Sequence, residues 1–184
     1  MTLARVFIVL VCLVLGACKK EDAGVATLFS AIGKVERDHA KAMGNWEPAA
    51  TGAVFHFGDG VRTAGAARAS LRLTEGSELS MDPKTLIRFL AQRPGKGEQR
   101  FNVEMGEATL KVGAQALGIE TDLGVARIEP GSRVRLRRSG PRSRFEVEIG
   151  SAKLLGENET FELRVGDAVE IEGDGAVTRV PPPA

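Results

Sequence analysis

Leu71, Leu73, Leu79 and Met81 alternate with Arg72, Thr74, Glu78 and Ser80, a period of two that sends apolar side chains to one face of a strand. The same alternation marks the clearest strands expected along the chain: Ala69 to Leu73, Glu78 to Met81, Phe101 to Met105, Arg133 to Arg138, Phe145 to Ile149 and Ala168 to Glu172. Beyond Ala26, helix-length stretches with apolar residues at three-and-four spacing are scarce. Short runs divided by 22 glycines and 8 prolines take their place.

Two hairpins can be registered from the side chains. A three-residue loop at Glu75-Gly76-Ser77 is expected to set Leu73 opposite Leu79 and Leu71 opposite Met81, with Arg72 near Ser80 and Thr74 near Glu78. A turn at Gly140-Pro141 pairs Val134 with Val147 and Leu136 with Phe145 on one face. On the other it pairs Arg135 with Glu146 and Arg133 with Glu148.

Segments also echo one another. Val61 to Arg68 with Gly76-Ser77 returns loosely as Ile119 to Arg127 with Gly131-Ser132, and Val103 to Leu110 returns as Val147 to Leu154. Repeated strand-turn units cover one another's apolar edges. The expected fold is all-β, an elongated, antiparallel, solenoid-like stack of strand-turn units, with a β-sandwich as the alternative.

The start of the chain departs from this pattern. Met1 to Arg5 carries one positive charge, Val6 to Leu15 is an apolar run, and Gly16, Ala17 and Cys18 follow. That is the layout of an export signal, and its apolar part is shorter than the roughly 20 residues a bilayer span needs. Leu15-Gly16-Ala17-Cys18 resembles the lipobox of bacterial lipoproteins, which implies acylation of Cys18 as the mature N-terminus. Lys19 resembles the signal for transfer to the outer membrane of a Gram-negative cell. The expected organisation is a signal peptide over 1–17, a lipidated leash over 18–25, a β domain over 26–178 and a proline-rich tail over 179–184. The leash from Lys19 to Gly24 reaches roughly 20 Å when extended, which holds the domain near its membrane.

Composition narrows the function. Cys12 leaves with the signal and Cys18 carries lipid, so the mature domain has no disulfide and depends on its apolar core. The net charge of +1 includes Arg5, so the mature chain is near neutral, against the basic excess of a nucleic-acid binder. The histidines are His39 and His56. His56 and Asp59 are possible metal ligands without a visible third, and no nucleophile elbow, phosphate loop or zinc signature occurs. Neither an enzyme nor a cofactor or metal is expected.

Gly33-Lys34-Val35-Glu36, Trp46-Glu47-Pro48-Ala49, Gly52, Gly58-Asp59-Gly60-Val61-Arg62-Thr63, Ala67-Arg68-Ala69, Leu71-Arg72-Leu73 and Glu75-Gly76-Ser77 resemble, in this order, the FecR domain. Met81 to Thr85 stands where that family has a turn with proline, and the units at Gly106 and Gly150 match its later strands. The resemblance covers most of residues 30–175. FecR-type proteins in iron-uptake signalling cross the inner membrane and join an outer-membrane receptor to a cytoplasmic sigma factor through a small helical part. This sequence displays neither that part nor its transmembrane helix. The resemblance therefore implies only the periplasmic β domain, a non-catalytic module that binds an envelope protein at the periplasmic face of the outer membrane. A structural envelope component that binds peptidoglycan or another glycan is the alternative, although the lack of tyrosine and the single tryptophan give sugars little to stack on.

The candidate site residues each carry a plain structural reading beside a functional one. Trp46 is a binding anchor or a cap on the core beside Pro48. Gly58, Asp59, Arg62, Thr63, Gly76 and Ser77 form the family motif and read first as turn-formers, with Asp59 and Thr63 bonding through their side chains. The arginines Arg133, Arg135, Arg137, Arg138, Arg142 and Arg144 are a patch for acidic partners or lipid headgroups, or a solvated hairpin. Hairpin pairing neutralises Arg133 and Arg135 and leaves the tip, Arg137 to Arg144, unbalanced. Glu157, Glu159, Glu162, Glu170 and Glu172 read as an exposed acidic strip.

Overall fold

A computed structural model describes residues 24–91, 99–121, 124–155, 159–174 and 176–181. The signal, the lipobox with Cys18, the leash before Gly24, Glu157 and the last prolines of the tail lie outside these residues.

The described chain is all-β, as its alternation requires, apart from a single 3-10 turn at Ala40–Ala42. Strands form two sheets. The first runs β4 (Val54–Phe55), β1 (Ala26–Ile32), β6 (Arg68–Leu73), β7 (Glu78–Met81) and the second half of β9 (Arg100–Lys111). It continues through β12 (Arg133–Ser139), β13 (Arg142–Ile149), β16 (Ala168–Ile171) and β17 (Val177–Val180). The second sheet runs β3 (Trp46–Pro48), β2 (Val35–Asp38), β5 (Gly60–Thr63), β8 (Leu86–Leu90) and the first half of β9. It ends in β10 (Leu117–Thr121), β11 (Gly124–Ile128), β14 (Ser151–Leu155) and β15 (Thr160–Arg164).

Both sheets follow the sequence almost in order, so the chain advances as stacked strand-turn units while alternating between two layers. Neighbours are antiparallel except β9 and β10. The inward faces share one apolar core, in which Leu28, Leu71, Leu79, Leu110, Val134 and Val147 from the first sheet meet Val61, Ile87, Ile119 and Leu154 from the second. The rings of Phe55 and Phe89 join the layers at 5.7 Å.

The chain changes sheets within β9 at Gly106 and between β13 and β14 at Gly150, and the internal echo acquires a physical meaning there. Gly106 (φ +93) and Gly150 (φ +79) adopt a backbone conformation that side-chain-bearing residues resist. At each arch one buried hydroxyl satisfies both polar groups of the next residue. Thr85 Oγ1 donates to the Glu107 carbonyl at 2.9 Å and accepts its amide at 3.0 Å. Ser132 Oγ donates to the Ser151 carbonyl at 3.1 Å and accepts its amide at 3.0 Å. A buried amide left without such a partner would be costly.

The Gly140-Pro141 hairpin has the expected register through Val134–Val147, Arg135–Glu146 and Leu136–Phe145. A bulge then sets Arg133 opposite Ile149, and Glu148 binds Arg135 instead, at 2.6 Å. The Gly76 hairpin corrects the expected register by two residues: Leu71 faces Leu79 and Ala69 faces Met81. The loop is Thr74-Glu75-Gly76, closed by the Leu73 amide on the Ser77 carbonyl at 2.8 Å and the Gly76 amide on the Leu73 carbonyl at 2.9 Å. Gly76 takes the positive φ (+90) that such a loop needs at its third position. A two-residue shift keeps every side chain on its face, so apolar alternation alone cannot detect it.

Candidate functional site

Of the family motif, Gly58, Asp59, Arg62 and Thr63 lie on β5 and the turn that leads into it, beside β2 and β3, while Gly76 and Ser77 lie in the turn between β6 and β7 of the first sheet. Asp59 is buried, and its carboxylate accepts the His56 amide at 2.9 Å and the Ala40 amide at 3.0 Å. It thereby closes its own turn and pins the 3-10 turn to it. Gly58 is required at this approach, because a Cβ there would meet the Ala40 Cβ at 2.6 Å. Thr63 donates to the Asp82 carbonyl at 2.6 Å and accepts the Thr85 amide at 2.9 Å, which holds the Asp82-Pro83 turn. Ser77 is buried and accepts the Gly113 amide at 2.9 Å.

Both histidines converge on Asp59, with His39 Nδ1 at 3.8 Å and His56 Nδ1 at 3.7 Å. Glu47 accepts Arg37 at 2.7 Å and lies 3.1 Å from His39 Nε2, and these hydrogen bonds hold its carboxyl below the usual range. Among the described residues no group of three or more such ligands has a metal-binding arrangement.

Trp46 lies on the outer face of the second sheet, outside the apolar core and half-buried. Its ring packs over Gly60, where a Cβ would meet it at 3.1 Å, and the Arg62 guanidinium stacks 4.3 Å from its centroid. Arg62 is fixed in turn by Glu36 at 2.8 Å, and Arg62 and then Lys34 lower the Glu36 pKa. Beside the ring, Asp38 and Glu104 hold Arg88 at 3.2 and 2.9 Å. Burial works against the Arg88 charge, but these carboxylates outweigh it and raise its pKa. Next along the chain from the 3-10 turn, Met43 is 69% exposed. This polar layer of Asp38, Arg88 and Glu104 was not foreseen, since its members lie 16 and 50 residues apart.

The arginine hairpin differs from expectation. Its tip is not unbalanced: Glu107 binds Arg137 at 2.7 Å, Glu172 binds Arg142 at 2.8 Å and Glu170 binds Arg144 at 3.4 Å. Arg138 also has an interaction partner. The carboxylates come from β9, from β16 and from Glu172 just beyond it, strands that a reading of the hairpin alone leaves out. Glu170 and Glu172 of the acidic strip are thus the partners of the arginine group, Glu162 pairs with Lys153 at 3.2 Å, and Glu159 is exposed. The recess beside these arginines, lined by Leu136, Arg138, Phe145 and Glu120, has about 10 Å³ of room, enough for one water.

A second feature invisible in the sequence is Glu75. Both its carboxyl oxygens are buried without a well-formed hydrogen bond, and burial raises its pKa, with its own backbone amide and then Ser77 offsetting only part of the cost.

This architecture of two layers joined by glycine arches, with the Gly-Asp-Gly turn leading into β5, defines an all-β domain. The FecR protein family matches residues 59–153, just over half of the chain, and the chain belongs to that family. FecR domains are envelope-associated, and the proteins that carry them are generally non-enzymatic regulators. Two crystal structures of a candidate anti-sigma factor from Parabacteroides distasonis ATCC 8503 share the fold, with TM-scores of 0.57 and 0.56 at 11% identity. They cover 68% of this chain, which spans 60% of theirs. No curated protein matches. Among the described residues no helix is long and apolar enough to cross a membrane.

Proposed function

We propose that this protein is a lipid-anchored regulatory component of the bacterial envelope, tethered through Cys18 at the periplasmic face of the outer membrane, and that its FecR domain binds a protein partner. The observation that supports this reading most is the preassembled surface at Trp46. A tryptophan whose ring is stacked by Arg62 and whose edge abuts Gly60, with the exposed Met43 following the 3-10 turn, offers the residue types that concentrate binding energy at protein interfaces. Asp59, Thr63 and Gly58 serve this surface by fixing the backbone beneath it. The arginine hairpin contributes less, because its guanidinium groups are occupied by carboxylates of the same sheet.

Affinity capture from detergent-solubilised envelopes tests the reading. The lipidated chain is expected to retain one envelope protein, Trp46→Ala to lose it, and Arg142→Gln to keep it. Equal capture by wild type and Trp46→Ala would remove Trp46 from the interface. The anchor is tested apart from this by sedimenting membranes that carry the wild type or Cys18→Ala.

A further inference from the structure

The outer face of the first sheet is mostly a charged ladder, such as Glu107, Arg137, Arg144 and Glu170 across β9, β12, β13 and β16. At β1 and β4 its character changes. Phe29, Val54 and Ile32 are 40%, 41% and 63% exposed there. The register sets Val54 and Arg72 on either side of Thr27, and Ile32 opposite Arg68. The Arg72 guanidinium lies 5.1 Å from the Phe29 ring centroid and 3.9 Å from Glu78, Arg68 hydrogen-bonds Asp82 at 3.3 Å, and both arginines are exposed. Scattered exposed apolar residues need no explanation. Apolar side chains on one face beside exposed arginines have the composition of surfaces that lie in a membrane interface.

The point at which the described chain begins selects the occupant. Gly24 packs against the Val54 side chain and its carbonyl accepts Thr74 Oγ1 at 2.8 Å, so the chain leaves the domain at the border of this patch. Cys18 stands six positions earlier, a reach of at most roughly 20 Å, with Lys19, Lys20, Glu21 and Asp22 between. An acyl chain on Cys18 would hold the lipid within roughly 20 Å of the border of this patch, which makes it the nearest apolar surface to the anchor. We propose that Phe29, Val54 and Ile32, flanked by Arg68 and Arg72, form a docking face that lies on the phospholipid bilayer and orients the Trp46 surface away from it. This inference rests on the lipid-anchored reading.

The test uses the absence of any cysteine but Cys12 and Cys18. In the full lipidated chain, Phe29→Cys and Val165→Cys are labelled singly with an environment-sensitive fluorophore and reconstituted on phosphatidylethanolamine–phosphatidylglycerol vesicles. Val165 is 66% exposed and precedes β16, which is six strand spacings from β1, about 29 Å. The label at 29 is expected to shift to the blue, to be quenched by nitroxide lipids and to resist aqueous iodide, while that at 165 stays open to iodide. Arg68→Glu with Arg72→Glu is expected to reverse the shift at 29. If the chain floats with vesicles and both labels are quenched alike by iodide, the docking face is wrong and the anchor stands. If the chain does not float at all, the anchor reading fails and takes the docking face with it.

Discussion

Gly106 and Gly76 have nearly the same φ, +93 and +90, but different surroundings, and replacing each by alanine separates two physical costs. At Gly76 a Cβ meets nothing within 4 Å, so Gly76→Ala pays only for the left-handed conformation, about 1 kcal/mol. At Gly106 the same atom would meet Thr85 Cα and Oγ1 at 2.5 Å and the Lys84 carbonyl at 2.6 Å, and backbone cannot yield as a side-chain tip can. Gly106→Ala must also push aside the Thr85 hydroxyl that serves the Glu107 amide and carbonyl. The left-handed conformation costs about 1 kcal/mol, overcrowding about 1–3 kcal/mol and a stranded buried amide about 1–3 kcal/mol, so the expected loss is about 3–7 kcal/mol in all. Urea unfolding of the chain from Lys19 onward, followed by the single tryptophan, measures both. For a domain of this size the melting temperatures should fall by about 3 °C and by about 10 °C or more. Costs that agree within about 0.5 kcal/mol would refute the arch as the place where the two layers are held together.

Thr85→Val and Ser132→Ala each remove one arch hydroxyl with little change of volume, and each is expected to lower stability by about 1–3 kcal/mol with an unchanged denaturant slope; a loss at only one site would break the equivalence of the arches. Glu75→Gln is expected to stabilise the protein at neutral pH by about 1 kcal/mol, the low end for a stranded polar group because the residue is only half-buried. The folded state raises the Glu75 pKa above its unfolded value, so wild type is favoured below the unfolded value and loses that stability as pH rises through the folded one. The gap between Glu75→Gln and wild type should therefore close on acidification in pH-resolved unfolding, and a gap that widens would contradict the assignment. Lys84 has φ +59 without being glycine, so Lys84→Asn, which tolerates that region better, should raise the melting midpoint by up to about 1 kcal/mol equivalent in calorimetry.

How far the sequence carries depends on the range of each interaction. Period-two alternation yields the strands and inward faces directly, because side-chain direction is a local property of an extended backbone. The turn chemistry of Asp59 was legible for a related reason, since its carboxylate accepts the His56 amide three residues away, whereas Thr63 bonds the distant backbone of Asp82 and Thr85 and does not close its own turn. Register at Gly76 was not, because a two-residue slip leaves the faces unchanged. Charge balance at Arg137 and Arg142 failed more instructively. Their partners Glu107 and Glu172 lie 30 residues away, and only the strand order brings them together. The Arg88 layer and the stranded carboxyl of Glu75 depend on the same non-local packing. The position of Trp46 on an outer face follows from its being paired to Asp38 at an edge strand, which residue type alone does not reveal.

The most direct test of a protein-binding surface at Trp46 is a photo-crosslinking amino acid placed at Met43 in the lipidated protein, activated in intact cells. The account predicts one discrete adduct with an envelope protein, abolished by Trp46→Ala and absent when the probe stands at Val165. Adducts of equal strength at both positions, or one that survives Trp46→Ala, would contradict it.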